Sequence, residues 1–321
     1  MYCYYIFIYM SKDKKIKVLV VGSNGLVGSS VVRVLSDTNN NYEIIASSRD
    51  DTDLFNVEQT KNLIETSRPD MLIIAAARVG GIVANNTKRT EFILENLKIN
   101  MNLLESCIPY PEIKIINLGS SCIYPLEAND PISEDSFMTG KLEPTNSPYA
   151  MAKIAAIEIG RSLNTQFNHN VINLMPTNLY GPNDFYSETD SHVIPGLIYR
   201  MHKAKLEDVE KFNIWGTGTP LREFLYVDDL ALAIKFVIEN EVNVDLLNIG
   251  SGEEISIKEL AEKIQTVVGY KGYLEFDESK PDGNPRKLLD SSKINELGWK
   301  STTNLDEGLK KSYDWFSKNI T

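Results

Sequence analysis

The chain has 321 residues, 42% hydrophobic and 24% charged, with a formal net charge of −11. That length and balance describe a globular protein with one large or two medium domains around a sizeable core. The negative charge argues against nucleic acid or an anionic membrane surface as the main partner. The cysteines, Cys3, Cys107 and Cys122, are too few and scattered for a disulfide framework or a zinc site, which points to a cytoplasmic protein.

Met1 to Met10 is almost wholly apolar and aromatic. It is too short to span a bilayer, which takes about 20 residues, and it lacks the basic start and cleavage site of a signal peptide. With Met10 as an alternative start, residues 1–15 read as an N-terminal extension.

Ile16 to Val21 is a short β-branched run, the signature of a buried parallel strand. It leads into Gly22-Ser23-Asn24-Gly25-Leu26-Val27-Gly28, and a helical pattern covers Leu26 to Leu35. Strand, glycine turn and helix form the arrangement whose backbone N–H groups receive a pyrophosphate. The second strand, Tyr42 to Ala46, ends in Ser47-Ser48-Arg49. An NAD site places a carboxylate here for the ribose 2′-hydroxyl. Small hydroxyls and Arg49 suit a 2′-phosphate instead, so NADP(H) is the expected cofactor. Asp50, Asp51 and Asp53 keep the acidic alternative open, and Asp53-Leu54 is expected against the adenine.

Met71 to Ala77 reads as a third strand, and Arg78-Val79-Gly80-Gly81 opens a loop that can reach the substrate. A helix covers Glu91 to Cys107, with Asn100 and Cys107 as packing groups. Ile113 to Leu118 is the fourth strand, and Gly119-Ser120-Ser121-Cys122-Ile123-Tyr124-Pro125 follows at its C-terminal edge, where α/β sheets bind ligands. Pro148-Tyr149-Ala150-Met151-Ala152-Lys153 then sets Tyr149 and Lys153 a turn apart on one helix face. A phenol titrating near ~10 is a poor acid at neutral pH, and a neighbouring lysine cation is expected to lower that value. Ser120 would bond a substrate carbonyl, Tyr149 pass it a proton, and Lys153 hold the cofactor ribose.

These motifs resemble the extended short-chain dehydrogenase/reductases, whose glycine loop has the Gly-x-x-Gly-x-x-Gly spacing found here. Among them the chain is similar to the GDP-L-fucose synthase family. The runs that carry the resemblance are Arg78 to Asn85, Gly119 to Pro125, Glu143 to Lys153, Met175 to Pro182, Ser191 to Pro195, Trp215 to Phe224 and Lys280 to Asp290. Asn24 stands where some members carry an arginine against the 2′-phosphate.

The resemblance implies a Rossmann-type doubly wound α/β fold with a smaller α/β substrate lobe. It implies that GDP-4-keto-6-deoxy-D-mannose is epimerised at C3 and C5 and then reduced at C4 by NADPH. Carbons beside the C4 ketone have acidic protons, because their loss gives an enolate that Ser120 and Tyr149 can stabilise. Cys122 is cast as the epimerisation base and His192 as the acid, with ordinary pKa values of about 8.5 and 6.5. Cofactor contacts are implied at Gly22 to Gly28, Arg49, Asp53, Leu54, Leu118, Gly119, Ser120, Ser121, Tyr149, Lys153, Pro176, Thr177, Asn178, Leu179 and His192. Arg200, Arg222 and Lys287 are cations suited to a diphosphate, Trp215 offers a face to guanine, and Asp282 an acceptor.

Asn173 to Leu179 reads as one further strand. The expected division is an NADP-binding domain over 16–180 and mainly a GDP-sugar lobe over 181–321, with a return to the sheet near 226–250. The helices near 91–107 and 149–165 are expected to pair across a homodimer, on family grounds alone. Three rivals are weighed. A nucleotide-sugar 4-epimerase or 4-ketoreductase would not need Cys122 and His192. A 4,6-dehydratase would want Asp-Glu where Ser121-Cys122 stands, and a non-catalytic NADP sensor typically loses Tyr149 or Lys153. No metal is expected.

Overall fold

The structure, a computed structural model, describes residues 15–37, 41–280, 282 and 284–320. Cys3 and residues 1–14 of the expected extension lie outside them.

The first half alternates strand and helix: β1 (Ile16–Val21), α1 (Leu26–Ser36), β2 (Tyr42–Ser47), α2 (Val57–Ser67) and β3 (Met71–Ile74). After a loop come α3 (Ile82–Thr87), α4 (Arg89–Cys107), β4 (Lys114–Leu118), α5 (Ser147–Phe167) and β5 (Asn170–Pro176). The second half holds β6 (Asn178–Tyr180), α6 (Val193–Leu206), β7 (Lys211–Trp215), β8 (Leu221–Tyr226), α7 (Val227–Glu239) and β9 (Leu246–Ile249). It ends with β10 (Glu254–Ser256), α8 (Ile257–Val268), β11 (Tyr273–Asp277), α9 (Ser292–Leu297) and α10 (Leu305–Asn319).

A parallel sheet of order β2-β1-β3-β4-β5-β9 forms the larger layer. Its strands are apolar on both faces because helices cover both. Val18, Val20, Ile73, Ile116 and Leu174 meet α1 and α7 on one face. Leu19, Leu72, Ile74 and Ile115 meet α2, α4 and α5 on the other. The strand order reverses beside β1, so a crevice opens at the C-terminal ends of β1 and β3. The smaller lobe holds the sheets β10-β8-β6 and β11-β7 around Leu197, Ile198, Met201, Phe212, Ile264 and Phe316.

Two expected strands differ. The third stops at Ile74, and Ala75 to Ala77 leave the ladder to line the crevice. The strand expected over 173–179 is two: β5 ends at Pro176, whose ring nitrogen has no hydrogen to extend the ladder, and β6 joins β8 in the other lobe.

Candidate active site

The glycine turn brings β1, α1 and the end of β3 into contact. Gly22 has a φ of +79°, and a Cβ there would stand 2.6 Å from the Ala76 nitrogen. A Cβ on Gly28 would stand 2.1 Å from the Gly22 oxygen, so both positions exclude a side chain. Gly25 caps α1 without a side-chain bond, which leaves the first N–H groups of that helix for a ligand. The turn opens into a cleft of about 550 Å³, lined by Asn24, Arg49, Asp53, Leu54, Phe55 and Ala76 among others. A recess of about 670 Å³ on the smaller lobe is walled by Glu253, Glu254, Glu259, Glu262 and Asp306, which would repel an anionic cofactor.

Of the acidic candidates beyond β2, Asp51 and Asp53 are engaged in their own loop. Asp51 accepts from the Ser48 hydroxyl at 2.7 Å and its N–H at 2.8 Å. Those bonds hold its carboxyl below the ordinary value. Asp53 accepts from the Phe55 N–H at 2.9 Å. Arg49 lies 5.7 Å from the centre of the Phe55 ring, at the cleft wall.

Beyond β4, Ser120 caps a short 3₁₀ turn, its hydroxyl accepting from the Cys122 N–H at 3.3 Å. That hydroxyl also bonds the Tyr149 phenol. Lys153 is 2% exposed, donates to the Leu118 carbonyl at 2.8 Å, and lies 5.9 Å from the centre of the Tyr149 ring. Ser120, Tyr149 and Lys153 thus form the expected set, but the expected lowering of the Tyr149 pKa is not found. Burial raises it, Cys122 adds to the rise, and the Ser120 bond only partly opposes them. Burial also lowers the Lys153 ammonium, from 10.5 to about 8. Desolvation by the surrounding protein outweighs pairing, although Ser120, Cys122 and Tyr149 keep some accessible surface, and it keeps Tyr149 in the proton-donating form.

The turn that starts α5 is fastened from two sides. The Glu143 carboxylate accepts from the Thr145 and Asn146 N–H groups, each at 3.0 Å. Arg89 of α4 donates to the carbonyls of Pro144 and Thr145 at 2.9 and 3.2 Å. Asn146, held there, donates from Nδ2 to Cys122 Sγ at 3.5 Å. Lys287 Nζ reaches the same sulfur at 3.9 Å. Sequence reasoning grouped Lys287 with the diphosphate cations, whereas its ammonium stands beside the thiol. Asn146, Arg89 and Glu143 were not singled out; the run Glu143 to Lys153 contains two of them, but their partners are distant in sequence.

His192 caps α6 from the other lobe. Its side chain is exposed, yet desolvation by the neighbouring protein holds its imidazole below the ordinary value. It makes no hydrogen bond to Ser120, Cys122 or Tyr149. Near the end of β5, Thr177 Oγ1 and Asn178 Nδ2 both donate to the Glu223 carbonyl, at 3.3 and 2.8 Å. Pro176 is buried with Leu118, Gly119 and Ser121, while Leu179 packs half-buried against the main core.

Arg200 donates to the Asn213 carbonyl at 3.3 Å, and Arg222 to that of Leu221 at 2.7 Å. Burial lowers both guanidinium pKa values, against weaker pulls from Glu188 on the first and from Asp282 and Asp130 on the second. Among the described residues neither is in an ion pair, which leaves both cations available to an anionic ligand. Trp215, 56% exposed, ends β7, between the two arginines in sequence. Asp282 holds the next turn, accepting from the Thr217 N–H and hydroxyl at 2.9 and 2.7 Å. Arg286 is committed to Glu254 through a forked contact.

A family model described as "NAD dependent epimerase/dehydratase family" matches residues 18–250. GDP-L-fucose synthase 1 of Arabidopsis thaliana is 46% identical over 311 residues, covering 96% of this chain and 95% of that protein. The chain belongs to the GDP-L-fucose synthase branch of the NAD-dependent epimerase/dehydratase family. The GDP-L-fucose synthase of Escherichia coli (strain K12) is 43% identical over 319 residues, covering 97% of this chain and 98% of that one. A GDP-L-fucose synthetase structure from Naegleria fowleri, bound to NADP, superposes with a TM-score of 0.86 at 28% identity, covering 94% of each chain. The cleft beside Gly22, at the ends of β1 and β3, and the Ser120 turn beyond β4 lie along one edge of the parallel sheet.

Proposed function

We propose that this protein is a bifunctional, NADP-dependent epimerase-reductase that converts GDP-4-keto-6-deoxy-D-mannose to GDP-L-fucose. The observation that carries the reading is the Cys122 sulfur, flanked by Lys287 and Asn146 and close enough to Tyr149 to raise its pKa. A plain ketoreductase has no use for a thiol there.

The cofactor fits the residues present. Gly22 and Gly28 let the turn fold tightly against Ala76 and onto itself, which brings its backbone to the start of α1. There the helix N-terminus is free for the pyrophosphate, and Arg49 stands at the cleft wall for the 2′-phosphate. NADPH, when bound, supplies the hydride for C4. Ser120 and Tyr149 donate to the C4 oxygen and so favour the enolate during epimerisation. Cys122, as thiolate beside the Lys287 cation, takes the proton from C3 or C5, and the electron pair moves onto the C4 oxygen. His192 returns a proton to the opposite face, and exchange with water resets both groups. In the reduction Tyr149 gives its proton to the C4 oxygen, and the buried Lys153 orients the ribose beside it. Arg200 and Arg222 take the diphosphate, and Trp215 the guanine.

We further propose a cytoplasmic homodimer, with residues 16–180 as the NADP-binding unit and most of 181–321 as the GDP-sugar lobe. Leu94 and Met101 on α4 and Met151 on α5 are each nearly half exposed, at 48%, 47% and 48%, which supports an apolar face between copies. Among the described residues no helix is long and apolar enough to cross a membrane.

The deciding experiment incubates GDP-4-keto-6-deoxy-D-mannose in D2O with and without NADPH. The expected result is deuterium at C3 and C5 and, with NADPH, GDP-L-fucose. Cys122→Ser should lose exchange far more than cofactor binding. NADPH oxidation without exchange would make the protein a plain 4-ketoreductase. If neither reaction occurs, the substrate assignment is refuted.

A further inference from the structure

The run Arg78 to Asn85 has no part in the chemistry above, yet it is built with care. Arg78 is held through its backbone by the fully buried Asn96, which accepts from its N–H and donates to its carbonyl, both at 3.0 Å. Asn85, 7% exposed, donates to the carbonyls of Gly80 and Gly81 at 2.7 and 3.0 Å. The glycine pair is therefore fixed in place before it meets anything else.

What it meets is the loop that ends in His192. The Gly81 N–H donates to the Asp190 carbonyl at 2.8 Å. A Cβ on Gly81 would stand 2.3 Å from the Ser191 oxygen. The φ of Gly81 is −66°, which any residue adopts, so glycine serves here for its lack of bulk and not for its conformation. Lys88 at the end of α3 adds an ion pair, Nζ to Asp190 Oδ2 at 2.7 Å. Ser191 is tied to Ser187 through its hydroxyl, and His192 follows directly as the cap of α6. The two residues before His192 thus rest on Gly81. The seat also touches the other side of the pocket: Phe92 lies 3.1 Å from where a Gly80 Cβ would be and packs edge-on against Tyr149 at 6.3 Å.

We infer that Gly81, with the Lys88–Asp190 pair, is a positioning residue for proton delivery by His192. This rests on the epimerase-reductase reading, and concerns its exchange half. A bulge at Gly81 pushes the 190–191 backbone outward and moves the imidazole away from the carbon it must protonate. Ser120, Tyr149 and Lys153 stand on β4 and α5, outside the displaced loop, and keep hydride transfer.

The test compares two rates in the full chain: deuterium uptake at C3 and C5 from D2O, and oxidation of GDP-L-fucose by NADP⁺, which involves no epimerisation. NADP⁺ affinity is measured alongside. Gly81→Ala should lower exchange at least about tenfold more than sugar oxidation, since a misplacement of about 1 Å can cost up to about 100-fold. Lys88→Asp and Asp190→Lys should each lower exchange by a few-fold, and the double swap should restore it. The swap decides the matter if Gly81→Ala fails to fold. Equal loss of both rates in Gly81→Ala, or no rescue by the swap, overturns the inference. Absence of exchange in the unaltered protein overturns the epimerase-reductase reading itself.

Discussion

Lys287 Nζ and Cys122 Sγ lie 3.9 Å apart, although 165 residues separate them in sequence. A cation that donates to sulfur stabilises the thiolate and not the thiol. Lys287→Met removes a charged hydrogen bond worth ~1.5–3 kcal/mol, so C3 and C5 exchange should fall about 10- to 100-fold. Oxidation of GDP-L-fucose by NADP⁺, which does not call on Cys122, should change far less. Proton NMR in D2O measures the first rate and absorbance of NADPH the second.

Arg49 is the cation at the cleft wall where Asp51 and Asp53 are tied into their own loop. Arg49→Ala should weaken NADPH about tenfold, the loss of one charge-assisted bond at an exposed site, and leave NADH unchanged. Fluorescence titration with both cofactors checks this. Equal weakening of the two would mean that Arg49 holds the adenine through Phe55, not the phosphate.

Lys153 is buried, and its ammonium titrates at about 8 in the fold against 10.5 ordinarily. Between those values the unfolded chain holds a proton that the folded chain has released, so this group makes stability rise with pH across that window. Below it the fold carries the full cost of a buried charge. Lys153→Met should be more stable than the unaltered apoprotein at pH ~7, by on the order of 3 kcal/mol if the shift is the whole difference. That advantage should vanish by about pH 10.5. Urea unfolding across the window reads it directly.

Asp184 follows the same logic with the opposite sign. Burial raises its carboxyl from 3.8 to about 7, against a bond from the Phe185 N–H to Oδ1, and Oδ2 has no hydrogen-bond partner among the described residues. The folded chain keeps a proton that the unfolded one loses, so the stability from this group is present below 3.8 and lost as pH rises through 7. Asp184→Asn should raise the unfolding temperature at about pH 8 and leave it unchanged at about pH 4.

The β1–turn–α1 unit and the Ser120–Tyr149–Lys153 set were legible because each is written within a few residues or at helical spacing. Arg49 was legible as a candidate from its place at the end of β2, but that Asp51 and Asp53 are bonded within their own loop was not. Tyr149 was identified and its titration misjudged, since burial depends on elements from the whole chain. The contacts of Asn146 and Lys287 with Cys122, and of Gly81 with Ser191, were not legible. Each joins segments far apart in sequence, and no local periodicity reports such a meeting.

The path of the chain between the lobes has one more consequence. It leaves the large sheet after β5 for β6, returns with α7 and β9, leaves again for β10, α8 and β11, and comes back with α9 before α10. A fragment that stops after residue 180 would lack β9, so β5 would present a bare edge open to aggregation. It would also lack Leu230, Ile234 and Val237 of α7, which cover α1. The halves are interlaced, and a protease cut at the bend between them would free two incomplete sheets instead of two folding units.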